Sequence, residues 1–447
     1  MEKQTNDRGQ WASSLGFIMA AAGSAVGLGN LWKFPYLAGQ NGGGAFVIVY
    51  LVMVLFVGFT IMLGEMSIGR ATGLNAIGAY KKLNSKFTWV GVLGVLSGFL
   101  ILGFYNVVGG WVIKYIIQFL MGGVSGDSAA YFGSFISSPI EPVVYALGFA
   151  VVTALIVWRG ISGGIEKASK IMMPALFVML IVIVIRSVTL PGAAAGLEYY
   201  LKPDFSKLTA GAIVQALGQV FFSLSLGMGC MITYGSYLNK EENLEKDGLI
   251  VPFMDTSVAL LAGFAILPAV FAFGFEPGAG PGLMFITLPQ VFASMPLGTV
   301  FGVLFFVLVL FAAITSSISL LEVCCAYAID EFKWSRSKAT WGLSLIIFVL
   351  TTLSSLSQGP MANFLIFGKN FFDLLDFLTA NIFMPLGGLM MCIFIGYIWG
   401  VDKAAEEIMQ NGKFGFKLRA LWNVLIKYVA PIAVGIVFLN MLGILKF

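Results

Sequence analysis

Polar residues and glycines interrupt the first long apolar stretch of the chain. Residues Gly23–Pro35 read GSAVGLGNLWKFP, so three glycines stand beside Asn30 and shortly before Lys33. An unpaired peptide group in hydrocarbon costs several kcal/mol, so an interrupted helix is tolerated only where its backbone is buried in protein or lines a cavity. The freed carbonyls and amides can bind ions and small solutes. For Gly23 and Gly27 alone, a GxxxG packing motif is an equally good interpretation.

A second apolar stretch is interrupted in the same way. Residues Phe221–Tyr237 read FFSLSLGMGCMITYGSY, with Gly227 and Gly229 at the middle, close to Ser223 and Ser225. The two interruptions fall in the first and sixth apolar stretches of the chain. Matching interruptions in two halves of a membrane protein are the best sequence indicator of the binding site of a secondary transporter.

Further polar residues lie in other apolar stretches. Asp255 stands in the seventh, where an ionised carboxylate is costly unless it is paired. In the eighth, the hydroxyls of Thr315–Ser319 (TSSIS) either line a site or bond to carbonyls of their own helix. Glu65 and Glu322 fit interfacial or structural positions. For Glu65, snorkelling to the interface or a bond to broken backbone is as good an interpretation as transport chemistry.

The elements that must position these residues are membrane spans. The chain has 447 residues, of which 59% are hydrophobic and 11% charged, and its mean hydropathy is +0.93. This balance predicts an all-α, polytopic membrane protein. A span needs roughly 20 apolar residues, and about eleven fit the sequence. Their centres are near Ala25, Leu55, Phe104, Ala150, Leu180, Ser225, Ala262, Leu310, Leu345, Leu386 and Val434.

Several functional classes are disfavoured by composition. The chain has no histidine, which removes histidine-based acid–base catalysis and the commonest metal ligand. The net charge of +4 is small and gives no indication of nucleic-acid binding. We predict that the protein is not an enzyme. The cysteines lack zinc spacing and are interpreted as buried thiols; they are Cys230, Cys324, Cys325 and Cys392.

The distribution of lysine and arginine predicts the orientation. Basic residues concentrate in alternate loops, for example Arg70, Lys81 and Lys82 between the second and third spans, and such loops are expected on the cytoplasmic side. An odd number of spans then places the N-terminus inside and the C-terminus outside the cytoplasmic membrane. Because the two interruptions are an odd number of spans apart, the two five-helix halves are predicted to be inverted repeats.

These expectations divide the chain into five parts. We predict a cytoplasmic tail at 1–10, a first five-helix repeat at 11–190 and an extracellular loop at 191–208. A second five-helix repeat at 209–400 follows, and then a cytoplasmic link with the eleventh span at 401–447.

Five segments together resemble the neurotransmitter:sodium symporter family, in its bacterial amino-acid branch with the leucine-transporter fold. They are GSAVGLGNLWKFPYLAGQNGGGAF from Gly23, SLSLGMG from Ser223, FYNVVGGW from Phe104, ITLPQ from Ile286 and FAAITSSIS from Phe311. The resemblance covers nearly the whole chain in order. The usual twelfth span of the family is absent, as in some bacterial members.

The resemblance implies two sodium ions, each held by oxygen atoms of a broken helix and its neighbours. The first site would contain the substrate's own carboxylate and oxygens of Ala25, Asn30, Ser223 and Asp255. The second would contain carbonyls and hydroxyls of Gly23, Val26, Ala312, Thr315 and Ser316.

The resemblance also implies a substrate site between the two interruptions. The amides of Leu28 and Gly29 and the hydroxyl of Tyr105 would bind a carboxylate, because helix N-termini favour anions. Carbonyls and a hydroxyl of the two breaks would bind the ammonium group. The full set is Ser24, Ala25, Leu28, Gly29, Ile101, Tyr105, Phe222, Ser225, Met228, Ser316 and Leu320.

Three positions differ from other branches of the family. Monoamine carriers have an aspartate where this chain has Gly27, so an amino acid that brings its own carboxylate is favoured. Chloride-dependent relatives have asparagine at Asp255, so a fixed carboxylate is expected to make chloride dispensable. The outer gate would pair Lys33 with Asp376, whereas the usual cation there is arginine. The inner gate would pair Arg8 with Asp330 and fits the family pattern.

The sequence therefore predicts a chloride-independent, sodium-coupled symporter that imports an amino acid by alternating access across the lipid bilayer. The flexible Met228 between two glycines favours large apolar or aromatic substrates. A non-transporting amino-acid sensor or a channel on the same fold is the alternative. Gly164 and Pro174 resemble a spacing with which bacterial members unwind the fifth span; an ordinary span start is the other interpretation. The sequence does not indicate the oligomeric state.

Overall fold

The computed structural model describes residues 8–276 and 280–446. Most of the predicted tail at 1–10, namely residues 1–7, therefore lies outside the described residues. Within these ranges the chain is helical, with two isolated β-bridges, Gly43 with Pro203 and Ile366 with Lys369, and no strand.

The helices follow one another with short connections. In chain order they are α1 (Ser14–Ala25), α2 (Gly29–Gln40), α3 (Gly44–Thr72), α4 (Ala76–Leu83), α5 (Ser85–Leu120), α6 (Ser128–Ile136), α7 (Glu141–Trp158), α8 (Ile161–Val188), α9 (Ala193–Leu201), α10 (Ala210–Ser223), α11 (Cys230–Gly235), α12 (Leu244–Ala272), α13 (Leu283–Ser294), α14 (Gly298–Phe332), α15 (Arg336–Leu356), α16 (Phe371–Trp399), α17 (Val401–Met409) and α18 (Arg419–Met441).

Membrane spans account for most of this length. In the described part of the chain, 9 helices are long and apolar enough to cross a membrane, and the bent pair α1 and α2 makes up to 10. The predicted count of eleven also requires α10 and α11 to form one interrupted span. These have only 14 and 6 residues, so length and composition alone do not confirm that count.

The first predicted interruption is present. Helix α1 begins after the N-cap Ser13, whose hydroxyl accepts a hydrogen bond from the Gly16 amide at 3.0 Å. It ends at Ala25, the C-cap Val26 is extended with a ψ of 106°, and α2 then departs at 54° to α1. The carbonyls around the bend are therefore free of the regular helical ladder and face the interior of the bundle.

The second predicted interruption lies between α10 and α11. Ser225, Gly227 and Gly229 have φ values of 54°, 75° and 74°. Glycine adopts this left-handed region without strain, whereas for Ser225 it is a costly conformation of the kind found at functional sites. A Cβ at Gly227 would overlap the carbonyl of Met384, so the break also packs closely against α16.

Helix α14 lies at the centre of the bundle. Its apolar window is 72% buried, compared with 33% for α15 and 28% for α18, and it packs against α1, α5 and α8. The hydroxyls of Thr315–Ser319 are therefore inside the protein and beside the first break. Peripheral spans such as α15 and α18 instead expose large apolar side chains, as lipid-facing helices do.

Short helices lie in several places where the sequence analysis expected only connections, and α13 and α9 are two of them. Helix α13 stands between the seventh and eighth spans, and α9 lies inside the predicted loop at 191–208. Both are short, and α13 carries the ITLPQ motif from Ile286.

Candidate functional site

All of the residues predicted to bind substrate surround one cavity between the two breaks. The empty space of this cavity is about 370 Å³, and about 30 Å³ admits the centre of a water molecule. A large side chain can therefore enter only if lining side chains move. The lining residues are Ser24, Ala25, Gly27, Leu28, Gly29, Asn30, Ile101, Tyr105, Phe222, Ser223, Ser225, Met228, Ser316 and Leu320.

The side chains predicted for the first sodium site form one hydrogen-bonded group. Asn30 Nδ2 donates to Asp255 Oδ1 at 2.8 Å and to Ser223 Oγ at 3.0 Å. Ser223 Oγ in turn donates to Asp255 Oδ2 at 2.8 Å. All three side chains are fully buried. The carbonyl of Ala25, the fourth predicted member, belongs to a residue that lines the same cavity.

Asp255 has neutral donors and no basic partner. Among the described residues no lysine or arginine forms a salt bridge with this carboxylate, although its exposed fraction is 0%. A buried charge without a counter-charge is strongly unfavourable, even when hydrogen bonds satisfy its oxygens. The electrostatics of this position therefore favour a bound cation.

At the predicted second sodium site, carbonyl oxygens converge on one hydroxyl. Ser316 Oγ lies 3.5 Å from the carbonyl oxygen of Gly23, 3.2 Å from that of Val26 and 3.2 Å from that of Ala312. The Ser24 carbonyl oxygen is 3.3 Å away. A hydroxyl has one proton and can donate to only one of these acceptors. The excess of acceptors over donors is the arrangement that a hard cation such as Na⁺ satisfies.

Thr315 is oriented differently from Ser316. Its hydroxyl donates to the carbonyls of Phe311 at 2.9 Å and Ala312 at 3.1 Å, both on its own helix. This is the back-bonding alternative considered for the TSSIS segment. Thr315 nevertheless lies against the break, because its Cβ is 3.0 Å from the position that a Cβ on Gly23 would occupy.

Groups suited to a carboxylate face the cavity from two sides. The hydroxyl of Tyr105 is buried and has no hydrogen-bond partner among the residues that the structure describes. Leu28 and Gly29 stand in the first turn of α2, where amides lack acceptors within the helix. A Cβ at Gly27 would lie 2.9 Å from Ser316 Oγ and 3.5 Å from Tyr105 Oη. A side chain at position 27 would thus occupy the space that Tyr105 and the amides leave for an anion.

Apolar side chains close the remaining walls. Ile101, Met228 and Leu320 are each at most 4% exposed, and Phe222 packs against the backbone of Gly29, with 2.7 Å between its Cδ1 and a Cβ built on that glycine. The cavity therefore has a polar end at the two breaks and an apolar end that would receive a side chain.

The two predicted gates differ. Arg8 Nε lies 3.1 Å from Asp330 Oδ1, and the same guanidinium donates to the carbonyl of Gly73 at 2.6 Å. By contrast, no salt bridge joins Lys33 to Asp376 among the described residues. The Lys33 ammonium lies 5.3 Å from the centre of the Phe222 ring, while Asp376 is exposed. The expected Lys33–Asp376 pair is therefore not formed in this structure, because the aromatic ring takes the ammonium instead.

Three buried polar residues near the site were not among the predicted ligands. Glu65 Oε1 accepts a hydrogen bond from the Gly227 amide at 2.7 Å, which is the bond to broken backbone considered above. Gln219 Nε2 donates to the carbonyl of Gly29 at 3.0 Å, and the buried Tyr50 hydroxyl has no partner within the described part of the chain. Gln219 was detectable, because it lies four residues before Ser223 and hence on the same helix face.

Glu322 is also explained by the structure. Its carboxylate forms a salt bridge with Arg336 at 2.5 Å and accepts a hydrogen bond from the Tyr237 hydroxyl at 2.5 Å. This geometry supports the structural interpretation of Glu322.

The chain is similar to known proteins over almost its whole length. The model of the sodium:neurotransmitter symporter family matches residues 8–127 and 141–446. The uncharacterized sodium-dependent transporter YhdH of Bacillus subtilis (strain 168) is 43% identical over 444 residues, 98% of each chain. An uncharacterized sodium-dependent transporter of Haemophilus influenzae is 40% identical over 457 residues, 98% of this chain and 99% of that one.

A solved structure has the same fold. The crystal structure of MhsT in complex with L-phenylalanine superimposes with a TM-score of 0.89 and 43% identity, covering 97% of this chain and 100% of that chain. This likeness confirms the predicted fold class, an all-α membrane protein with the leucine-transporter fold. The roles of the individual site residues stay predictions.

Proposed function

Because the chain belongs to the sodium:neurotransmitter symporter family, a family of sodium-dependent membrane transporters, we propose that it couples the import of one amino acid to the entry of two sodium ions. The observation that carries this proposal is the Asp255 carboxylate, which is fully buried beside both helix breaks and forms no salt bridge among the described residues. A cation at Asp255 offsets this charge, and a substrate carboxylate in the adjoining cavity completes the shell of that cation.

The chemistry of the cavity supports an amino-acid substrate. The unpaired Tyr105 hydroxyl and the first-turn amides of α2 suit a carboxylate, and Gly27 leaves that space open. The Ser225 hydroxyl, whose oxygen is 2.8 Å from the Ser24 carbonyl oxygen, lies beside carbonyls that suit an ammonium group. MhsT, crystallised with L-phenylalanine, has 43% of its residues in common with this chain.

Large apolar or aromatic side chains are the proposed specificity. The walls formed by Ile101, Phe222, Met228 and Leu320 are apolar, which excludes charged side chains by their desolvation cost. Met228 stands between two glycines with positive φ, and its side chain has three rotatable bonds. It can therefore change rotamer to make room for a larger substrate side chain. Burial of apolar surface contributes about 25 cal/mol per Å² to the binding free energy, so an aromatic ring contributes more than a small side chain does.

Chloride independence follows from the same carboxylate. In relatives with asparagine at this position, a bound chloride provides the negative charge near the first cation. In this chain the Asp255 carboxylate provides that charge, so no chloride is needed there.

We also propose the orientation of the carrier in the membrane. The N-terminus is inside and the C-terminus outside, so the Arg8–Asp330 pair is the cytoplasmic gate and the Lys33 region faces outward. With the first gate closed and the second pair unformed, the structure resembles a carrier whose cytoplasmic path is shut. Alternating access then requires the buried pair at Arg8 to separate.

Uptake into proteoliposomes tests the proposal. With sodium outside and potassium inside, labelled phenylalanine should accumulate above its external concentration, and equal sodium on both sides should abolish the accumulation. Unlabelled leucine, tyrosine and tryptophan should compete, whereas glycine and glutamate should not. Sodium-dependent binding without accumulation would instead identify a sensor, and flux that does not saturate would identify a channel.

A further inference from the structure

One carboxylate joins two segments that are far apart in the sequence. Glu166, at the start of α8, is 2% exposed. Its Oε2 accepts a hydrogen bond from the Ala12 amide at 2.7 Å, and its Oε1 accepts one from the Ser13 hydroxyl at 2.8 Å. Lys170, one turn further along α8, donates to Oε1 at 2.6 Å and to Ser13 Oγ at 2.8 Å. The segment before α1 and the first turns of α8 thus share one buried, charged hydrogen-bond group.

The same group determines where α1 begins. Ser13 is the N-cap of α1: its hydroxyl oxygen accepts from the Gly16 amide and from Lys170 Nζ, and its proton is donated to Glu166 Oε1. Gly16 packs directly on this carboxylate, because a Cβ built on Gly16 would overlap the Glu166 side chain. The glycine is therefore a steric requirement for the contact between α1 and α8.

Both connected helices reach the predicted second sodium site. The carbonyls of Gly23 and Val26 at the end of α1 lie around Ser316 Oγ. On α8, Met173 Cγ is 3.4 Å from the position of a Cβ on Gly23. The start of α8 and the whole of α1 therefore form adjoining walls between this site and the side of the bundle that holds Arg8.

An ordinary helical ion pair does not explain this geometry. Glu166 and Lys170 are spaced as an i,i+4 pair, which is usually exposed and contributes little. Here the carboxylate is buried, and two of its hydrogen bonds go to residues more than 150 positions away in the chain. If α1 left alone, the buried Glu166 carboxylate would lose those two donors and keep only Lys170, and a buried charge that loses hydrogen-bond partners is costly.

We propose that Glu166 is a positioning residue that makes the N-terminal end of α1 and the start of α8 open together when the path from the second sodium site opens. This inference rests on the proposed function, because it assigns that path to sodium release. Release of sodium would then require α1 and the start of α8 to move together, because the hydrogen bonds of Glu166 join them.

Hydrogen exchange on the purified full-length protein tests the coupling. The measured segments are 12–20, at the start of α1, and 161–173, at the start of α8. The decisive variant is Gly16→Ala, in which the substituted residue lies in α1 and its Cβ would displace the Glu166 carboxylate. We expect exchange in both segments to become faster by a similar factor, about tenfold, because both segments would exchange through the same opening and the free energy of that opening is lowered. Glu166→Ala should act equally on both segments, and Glu166→Gln, which keeps one acceptor oxygen, should give an intermediate effect.

Gly163→Ala is the matched control. Gly163 lies three residues before Glu166, and a Cβ there would meet nothing within 4 Å, so exchange should not become faster than in the wild type in either segment. Alanine favours the helix over glycine, so a simple propensity effect of Gly16→Ala would slow exchange in 12–20, opposite to the expectation.

Three outcomes overturn the proposal. They are faster exchange in 12–20 alone after Gly16→Ala, no change in either segment, or an equal change in Gly163→Ala. The readout needs no substrate and no gradient. A wild type that fails to accumulate amino acid would therefore contradict the proposed symport, whereas unlinked exchange in an active carrier would contradict only the role of Glu166.

Discussion

The two predicted cation positions are built in opposite ways. At the first, a full negative charge on Asp255 is buried and held by the Asn30 amide and the Ser223 hydroxyl. At the second, only neutral oxygens converge, and the Ser316 hydroxyl lies among them. An empty first position leaves an uncompensated charge, whereas at an empty second position one carbonyl can still accept the hydroxyl proton. The second position is therefore the easier of the two to empty.

Removal of the charge at the first position should have the largest effect. Asp255→Asn keeps the shape of the side chain but removes the group that favours a cation. We expect the sodium concentration for half-maximal binding to rise by at least ~100-fold, or ~2.8 kcal/mol, in chloride-free buffer, because breaking a buried charge pair costs several kcal/mol. Chloride should restore part of this loss, measured by titrating sodium in chloride and in gluconate.

Asp402→Asn is the matched control for that substitution. Asp402 forms an exposed pair with Arg419, at 2.8 Å, and its side chain is 86% exposed. It should leave the sodium dependence unchanged. An Asp255→Asn protein with the sodium dependence of the wild type would show that the two cation positions do not differ in charge as described.

Removal of hydroxyls at the second position should have a smaller effect. The double substitution Thr315→Ala and Ser316→Ala should raise the sodium requirement of uptake by about tenfold, or ~1.4 kcal/mol. The structure divides this effect unequally. Ser316→Ala alone should give most of it, because Ser316 Oγ lies among carbonyls of both α1 and α14, whereas the Thr315 hydroxyl bonds only to its own helix.

Ser317→Ala serves as the control on the same helix. Its hydroxyl lies 2.7 Å from Thr153 Oγ1, on the side of α14 away from the break. If Ser317→Ala changes the sodium dependence as much as Ser316→Ala does, the TSSIS segment acts through helix packing and the second position has been wrongly assigned.

Removal of the Tyr105 hydroxyl should have a still smaller effect, and it should weaken the binding only of ligands that carry a carboxylate. Tyr105→Phe removes the unpaired donor and should weaken phenylalanine binding about fivefold, since one hydrogen bond contributes roughly 1 kcal/mol. Phenethylamine, which lacks the carboxylate, should compete equally with the wild type and the variant. Equal weakening of both ligands would show that Tyr105 does not face the carboxylate.

The smallest expected effect is that of chloride on the wild type. Exchange of all chloride for gluconate should change uptake by less than about twofold, because Asp255 supplies the negative charge at the first position and surface screening is unchanged at constant ionic strength. Uptake that collapses in gluconate would contradict chloride independence.

Residue types predicted both helix breaks for a physical reason, whereas the residues around the cavity were predicted from the resemblance to the family. Glycine and polar residues are costly inside spans, so their presence at Gly23–Asn30 and Ser223–Gly229 indicated sites where the backbone is freed. The structure places all eleven predicted substrate residues around one cavity. Their roles as ligands stay predictions, because a cavity wall alone does not identify what it binds.

Other features were not predictable from residue types. The Lys33 ammonium lies over Phe222 instead of beside Asp376. Its position depends on the rotation of the helix and on the conformation of a long, flexible side chain, which residue types do not determine. The short helix α13 is too brief for a span and carries no cap signal that separates it from a loop. The Glu166 contact joins residues that no local periodicity relates, and only the packing of Gly16 against that side chain reveals it.

Reciprocal binding tests the central claim most directly, that sodium at Asp255 and the substrate carboxylate complete one another's binding shells. Phenylalanine affinity is measured by equilibrium binding over a range of sodium concentrations at constant ionic strength, and sodium affinity over a range of phenylalanine concentrations. Each ligand should tighten the other by the same factor, at least about tenfold, and Asp255→Asn should remove this coupling. Phenylalanine that binds equally well in sodium and in potassium would contradict the account.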